Sequence, residues 1–165
     1  MWTRGAFGRS VVVAVLAYTY AGAVGVDYLL AHDARYPLER WLAHNAPVGT
    51  RVETYHKATF SPRFPANVKV VRPKFRRMTK TDFAKRAPDM VVLNLVDLER
   101  ITARYDEVKP VMVEPPENQE FLQALLGGEL GYHQVASFHA TWPLIPDGLI
   151  RSLSPNFIVL ARNAS

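Results

Sequence analysis

The run PDMVVLNLV, Pro88–Val96, carries the strongest structural signal in the chain. Its β-branched and aliphatic residues are continuous rather than alternating with polar ones, and a Pro-Asp pair opens it. That is the pattern of a strand covered on both faces, so it is expected at the centre of a sheet with helices on either side. Working outward, alternating or apolar runs mark further strands near Arg51–Tyr55, at NVKVV (67–71), at YHQVASFHA (132–140) and at PNFIVLARN (155–163). Helical patterns lie between them. Residues 33–46 place Asp33 as a candidate N-cap, Pro37 in the first turn, and Leu38, Trp41 and Leu42 on one face. A helical turn is expected around Thr81–Arg86, a helix at DLERITARYD (97–106), and another at NQEFLQALLGG (118–128), closed by Gly127 at its C-terminal cap. Strands separated by helices predict one small layered α/β domain with a mixed, partly parallel sheet, its last two strands forming a hairpin-like edge.

Ahead of this domain the chain changes character. Ser10–Val26 is 17 residues without a charge, roughly 25 Å as a helix, at the short end of a spanning length. Ala14, Ala21, Gly22 and Gly25 give it a small-residue surface that would let another membrane helix approach closely. Two other readings fit the same residues. With Arg4 and Arg9 as a basic start and AGA at 21–23 as a cleavage site, it reads as a secretory signal; it also reads as a buried core helix. As an anchor it divides the chain into a cytoplasmic stub and transmembrane helix, residues 1–31, and a domain over 32–165. The arginines before the span place that domain on the extracytoplasmic, periplasmic side.

Composition bounds the chemistry. With 48% apolar and 21% charged residues the chain is a folding one, and 165 residues suit one domain and an appendage. There is no cysteine, which removes disulfides and thiolate catalysis. His32, His44, His56, His133 and His139 are scattered without metal-ligand spacing; His133 and His139, six apart on one expected strand, are read as facing the same side about 20 Å apart. No Gly-x-Ser-x-Gly elbow is present. GGELG (127–131) follows a helix rather than a strand, so it caps that helix and does not cradle phosphate. Glu114, Glu117 and Glu120 sit where carboxylates favour a helix start. No catalytic residue, metal or cofactor is assigned.

The unusual feature is basic. Between Lys57 and Arg86 stand ten cations against one acid, Asp82. No aromatic stacking platform accompanies them and an extracytoplasmic domain meets little nucleic acid, so nucleic acid is not expected as a partner. Lys69, Arg72, Lys74, Arg76, Arg77 and Lys80 are the candidates for contact with anionic membrane lipid or a lipid-linked phosphate. A solvated loop is the alternative.

The order of these elements is familiar. An apolar helix runs into HDARYPLERWLAHNAPVGTRVE, with Trp41-Leu42 before Asn45-Ala46-Pro47-Val48-Gly49. PDMVVLNL, NQEFLQALLGGELGYHQVASFHA and a closing LSPNFIVLAR ending in Arg162 follow. Together they resemble the C-terminal portion of integral-membrane glycosyltransferases that use polyprenyl-phosphate sugars, the protein-mannosyltransferase and aminoarabinose-transferase-like enzymes. The resemblance covers residues 10–163 and implies an extracytoplasmic domain that caps many membrane helices and lies near a polyprenyl-phosphate lipid. The family's catalytic acid and donor cavity belong to membrane helices that these residues do not contain, so the chain is expected to be inactive alone. Two functions follow: part of such a glycosyltransferase, or a non-catalytic single-pass subunit that serves a larger membrane complex as a structural or interaction module.

Overall fold

The computed structural model describes residues 4–55, 61–73, 79–95, 116–140 and 156–163. Helix α1 runs unbroken from Arg4 to Ala31 and α2 from Arg35 to Asn45. The remaining elements are β1 (Arg51–Thr54), β2 (Lys69–Val71), α3 (Lys80–Arg86), β3 (Met90–Asn94), α4 (Pro116–Leu126), β4 (Tyr132–Phe138) and β5 (Phe157–Arg162). The helix expected at 97–106 lies outside the described residues, as do Glu114 and the linker between the last two strands.

The five strands form one open sheet in the order β2-β1-β3-β5-β4. β1 pairs parallel with both β2 and β3, while β5 runs antiparallel between β3 and β4. The mixed, partly parallel sheet is therefore present, with β3 at its centre. Pro88 and Asp89 stay outside β3, and Asp89 ties the strand ends together at this amino edge: its carboxylate accepts the Arg51 amide at 2.9 Å and the Arg162 guanidinium at 2.7 Å.

Both faces of the sheet are covered, as the continuous apolar run required. Leu38 and Leu42 of α2 pack with Val52, Val92, Phe157 and Val159 on one face. Phe83 of α3 and Phe121, Leu122 and Leu125 of α4 pack with Val91, Leu93, Ile158 and Leu160 on the other. The connections keep one hand. β2 to β3 and β3 to β4 both pass rightward in the strand order with their helices on the α3/α4 face. β1 to β2 passes leftward, and Phe64 and Val68 of its connection pack on the α2 face. Reversing direction and face together preserves the handedness of a parallel crossover.

Three local readings change. The capping position of α2 is held by Ala34, and Asp33 acts one residue earlier, its carboxylate accepting the Arg35 amide at 2.8 Å and the guanidinium beside it. Gly127 closes α4, but the left-handed residue of that cap is Gly128 (φ 80°): Glu129 N–H bonds to the Ala124 carbonyl across it, the Schellman arrangement in which glycine avoids a Cβ clash. In β4, Gln134 pairs with Leu160 and Ala136 with Val159, so Val135 is an extra residue. This bulge reverses the alternation. Tyr132 belongs to the α3/α4 face, whereas Ala136 and Phe138 belong to the α2 face. Residues at even spacing across it no longer share a side, and His139 lies beyond the end of the strand at Phe138, so the shared face expected for His133 and His139 does not follow.

Candidate functional site

Connections from β1 and β3 leave these adjacent parallel strands in opposite directions and over opposite faces, which makes their carboxyl ends a topological switch point. Open α/β sheets place ligands at this switch point. Thr54 and Asn94 face the α2 layer here, since Thr54 pairs with Val92 of that cluster and Asn94 lies two residues on. Both are buried, as is Asn118 in the first turn of α4. Thr54 Oγ1 has no hydrogen-bond partner, alone among buried side-chain polar atoms of the described residues. α2 and α4 both run back toward the amino edge, so their N-termini bring partial positive charge toward the carboxyl edge. This edge suits a polar or anionic group better than an apolar one.

A second polar cluster lies inside the α3/α4 face. Glu53, on β1 beside Val71 and Val91, is fully buried. Arg86 at the end of α3 grips its carboxylate with two N–H bonds, at 2.7 and 2.8 Å, and the Tyr55 hydroxyl donates to the same carboxylate. Pattern reading marks neither residue: Glu53 falls within the strand expected near Arg51–Tyr55, and Arg86 within the basic run that starts at Lys57. The cue that could have found them is the position of β1 beside β3: a strand next to a two-faced strand has no wet side. With Glu53 buried and its carboxylate bonded to both partners, the cluster holds α3 to the sheet.

The same region predicts an alkaline transition. Burial, followed by the Glu53 charge, raises the pKa of Tyr55. Burial likewise pushes Tyr132 up to about 12, its hydroxyl donating to the Pro88 carbonyl. Unfolded phenols ionise near 10, so both tyrosines stabilise the fold below that pH, and the contribution is lost as pH climbs from about 10 toward 12. The melting temperature should fall across this window, and Tyr132→Phe should flatten the fall. A parent protein whose melting temperature is level from about pH 9.5 to 11.5 would contradict this.

The basic candidates do not form one surface among the described residues. Lys69 pairs with Arg51 at the start of β2, its side chain on the α3/α4 side because the neighbouring Val52–Val70 pair takes the other. Arg72 follows the far end of β2, its guanidinium 5.6 Å from the centre of the Phe64 ring on the α2 face. Lys80 opens α3 and meets Glu129 at 3.6 Å across the surface. Lys74, Arg76 and Arg77 lie outside the described residues. Nor do any three His, Asp or Glu side chains among the described residues come together in a metal-binding group.

On α1 the small residues divide. Gly25 is buried and Ala21 half-buried, whereas Ala14 and Gly22 are exposed, and a Cβ at Gly22 would meet nothing within 4 Å. Val12, Val13, Leu16, Tyr18 and Tyr20 are exposed around the helix. It is long and apolar enough to cross a membrane, and only 6% of its apolar window is buried. So little burial does not fit a core helix of this domain, while a membrane span and a secretory signal both fit such a helix near the N-terminus.

No family model, curated protein or solved structure matches the chain. The class of the molecule is accordingly the one its own geometry defines: a long apolar N-terminal helix joined to a small three-layer α/β domain with a mixed open sheet.

Proposed function

We propose that the protein is a single-pass membrane subunit whose helix α1 assembles with other membrane helices and whose α/β domain serves as a structural or interaction module on the extracytoplasmic side. The observation that carries this reading is the uncovered apolar surface of α1: the fold buries almost none of it, and membrane lipid and partner helices are the surroundings that would. Ala14, Ala21, Gly22 and Gly25 fall at helical spacing on one side of α1, grouped around Tyr18, a phenol that needs a hydrogen-bond partner within a bilayer.

Resemblance to the C-terminal part of polyprenyl-phosphate-sugar glycosyltransferases supports a narrower version. In it the domain caps the helices that hold the lipid donor, and the segment carrying Lys69, Arg72, Lys74, Arg76, Arg77 and Lys80 approaches the lipid phosphate. The polar groups Thr54 and Asn94 at the carboxyl ends of β1 and β3 are compatible with such a neighbour.

Assembly is tested at the exposed part of the small-residue face, because Gly25 already packs within the fold and its replacement would confuse the two effects. Ala14→Leu with Gly22→Leu should reduce recovery of membrane partners in mild detergent at least about tenfold, a loss of roughly 1.4 kcal/mol, with the near-ultraviolet circular dichroism of the domain unchanged. Undiminished co-purification would remove the helix face from the proposal.

A further inference from the structure

We infer that the carboxyl edge of the sheet is the surface that rests on the membrane, its partner being the lipid head-group layer, with the amino edge directed away. The inference builds on the reading of α1 as a membrane span.

Three observations point this way. First, the fold takes hold of α1 at the end of the apolar run. Gly25, two residues before Asp27, is buried, and so is Leu29, about 6 Å further along the helix. At 28 residues, α1 is about 42 Å long, against a hydrocarbon core of about 30 Å, so its C-terminal turns lie at head-group depth.

Second, the junction is short and held at both ends. Only His32, Asp33 and Ala34 separate α1 from α2. His32 N–H bonds to the Tyr28 carbonyl at 2.9 Å, Tyr36 N–H to the Asp33 carbonyl at 3.0 Å, and the buried Asp33 carboxylate binds Arg35. A linkage of this kind transmits the direction of α1 to the domain.

Third, the junction sits at one particular edge. α2 enters β1 at the amino edge through residues 46–50, and halfway back along α2 the Trp41 ring meets Phe138, 6.3 Å between centroids, at the carboxyl end of β4. The first half of α2 and the end of α1 therefore lie toward the carboxyl edge. Tyr55, Pro73, Leu95 and Ala140, where the chain leaves β1, β2, β3 and β4, stand along the same edge.

The absence of cysteine makes a direct test available, since one introduced thiol is then the only site of labelling. Single cysteines replace exposed residues at the two ends of each outer strand: His133 in β4 and His139 just past it, Lys69 in β2 and Arg72 just past it. Along β4 these are about 20 Å apart, and along β2 about 10 Å. Each full-length variant is labelled with bimane in vesicles containing head-group nitroxide lipid. A fifth variant, Val15→Cys, reports insertion through acyl-chain nitroxide lipid. We expect strong quenching at Val15→Cys, and at least twofold more head-group quenching at His139→Cys and Arg72→Cys than at His133→Cys and Lys69→Cys. Quenched Val15→Cys with equal or reversed quenching along β4 would overturn the orientation while leaving the anchor in place. Unquenched Val15→Cys would bring down the anchor and the orientation together.

Discussion

Arg86→Met is expected to lower the stability of the fold by about 3–5 kcal/mol. The variant keeps most of the side chain's apolar stem and removes the guanidinium that supplies two N–H bonds to Glu53. Glu53 is then a buried carboxylate with the Tyr55 hydroxyl as its remaining polar partner among these three residues. It is completely buried, and its neighbours in register, Val71 and Val91, offer it no polar side chain. The cost is that of an uncompensated buried charge and exceeds what the pair itself contributes. The diagnostic comparison is the triple variant Glu53→Leu, Tyr55→Phe, Arg86→Met, which removes the whole polar cluster and should recover most of the loss. Urea unfolding of the full chain in detergent, followed by tryptophan fluorescence, measures both. A single variant within about 1 kcal/mol of the parent would show that Glu53 is not sealed as the structure has it.

Deleting Val135 should be comparably damaging, by about 3–5 kcal/mol, although Val135 itself is partly exposed and packs little. The bulge lets one strand serve two cores. Before it, Tyr132 fills the α3/α4 face, its ring against Phe83; after it, Ala136 and Phe138 fill the α2 face, Phe138 against Trp41. Without the extra residue the strand returns to strict alternation, so either Tyr132 or the Ala136–Phe138 pair must turn to the wrong side. Val135→Thr, which keeps the residue count, should change stability by less than about 1 kcal/mol. Thermal unfolding of the two variants separates register from side-chain packing. A deletion as stable as the substitution would mean that the strand slips without penalty.

Legibility differed between these elements for physical reasons. PDMVVLNLV could be read as the central strand because only a strand enclosed on both faces tolerates a continuous apolar run, and β3 stands there. The helices α2 and α4 declared themselves through spacing, Leu38 and Leu42 in one, Phe121, Leu122 and Leu125 in the other. Nothing local announced the bulge, because Tyr-His-Gln-Val-Ala-Ser-Phe alternates acceptably without one. Its cause is the demand of two cores on a single strand. Glu53 and Arg86 gave no local sign of their pairing for the related reason that charge suggests solvent, and only the neighbours of β1 reveal that Glu53 is buried.

From the sequence by itself came the apolar helix ahead of a layered α/β domain, the position of β3 and the lack of any thiol chemistry, all set by hydrophobic period and residue type. Tertiary structure alone decided which face each strand residue takes after Val135, which cation is withdrawn to hold Glu53, and at which edge α1 joins the sheet. Those outcomes depend on contacts between segments distant in the chain, such as β1 with α3 and α2 with β4, and no local pattern encodes a partner that is 33 residues away, as Arg86 is from Glu53.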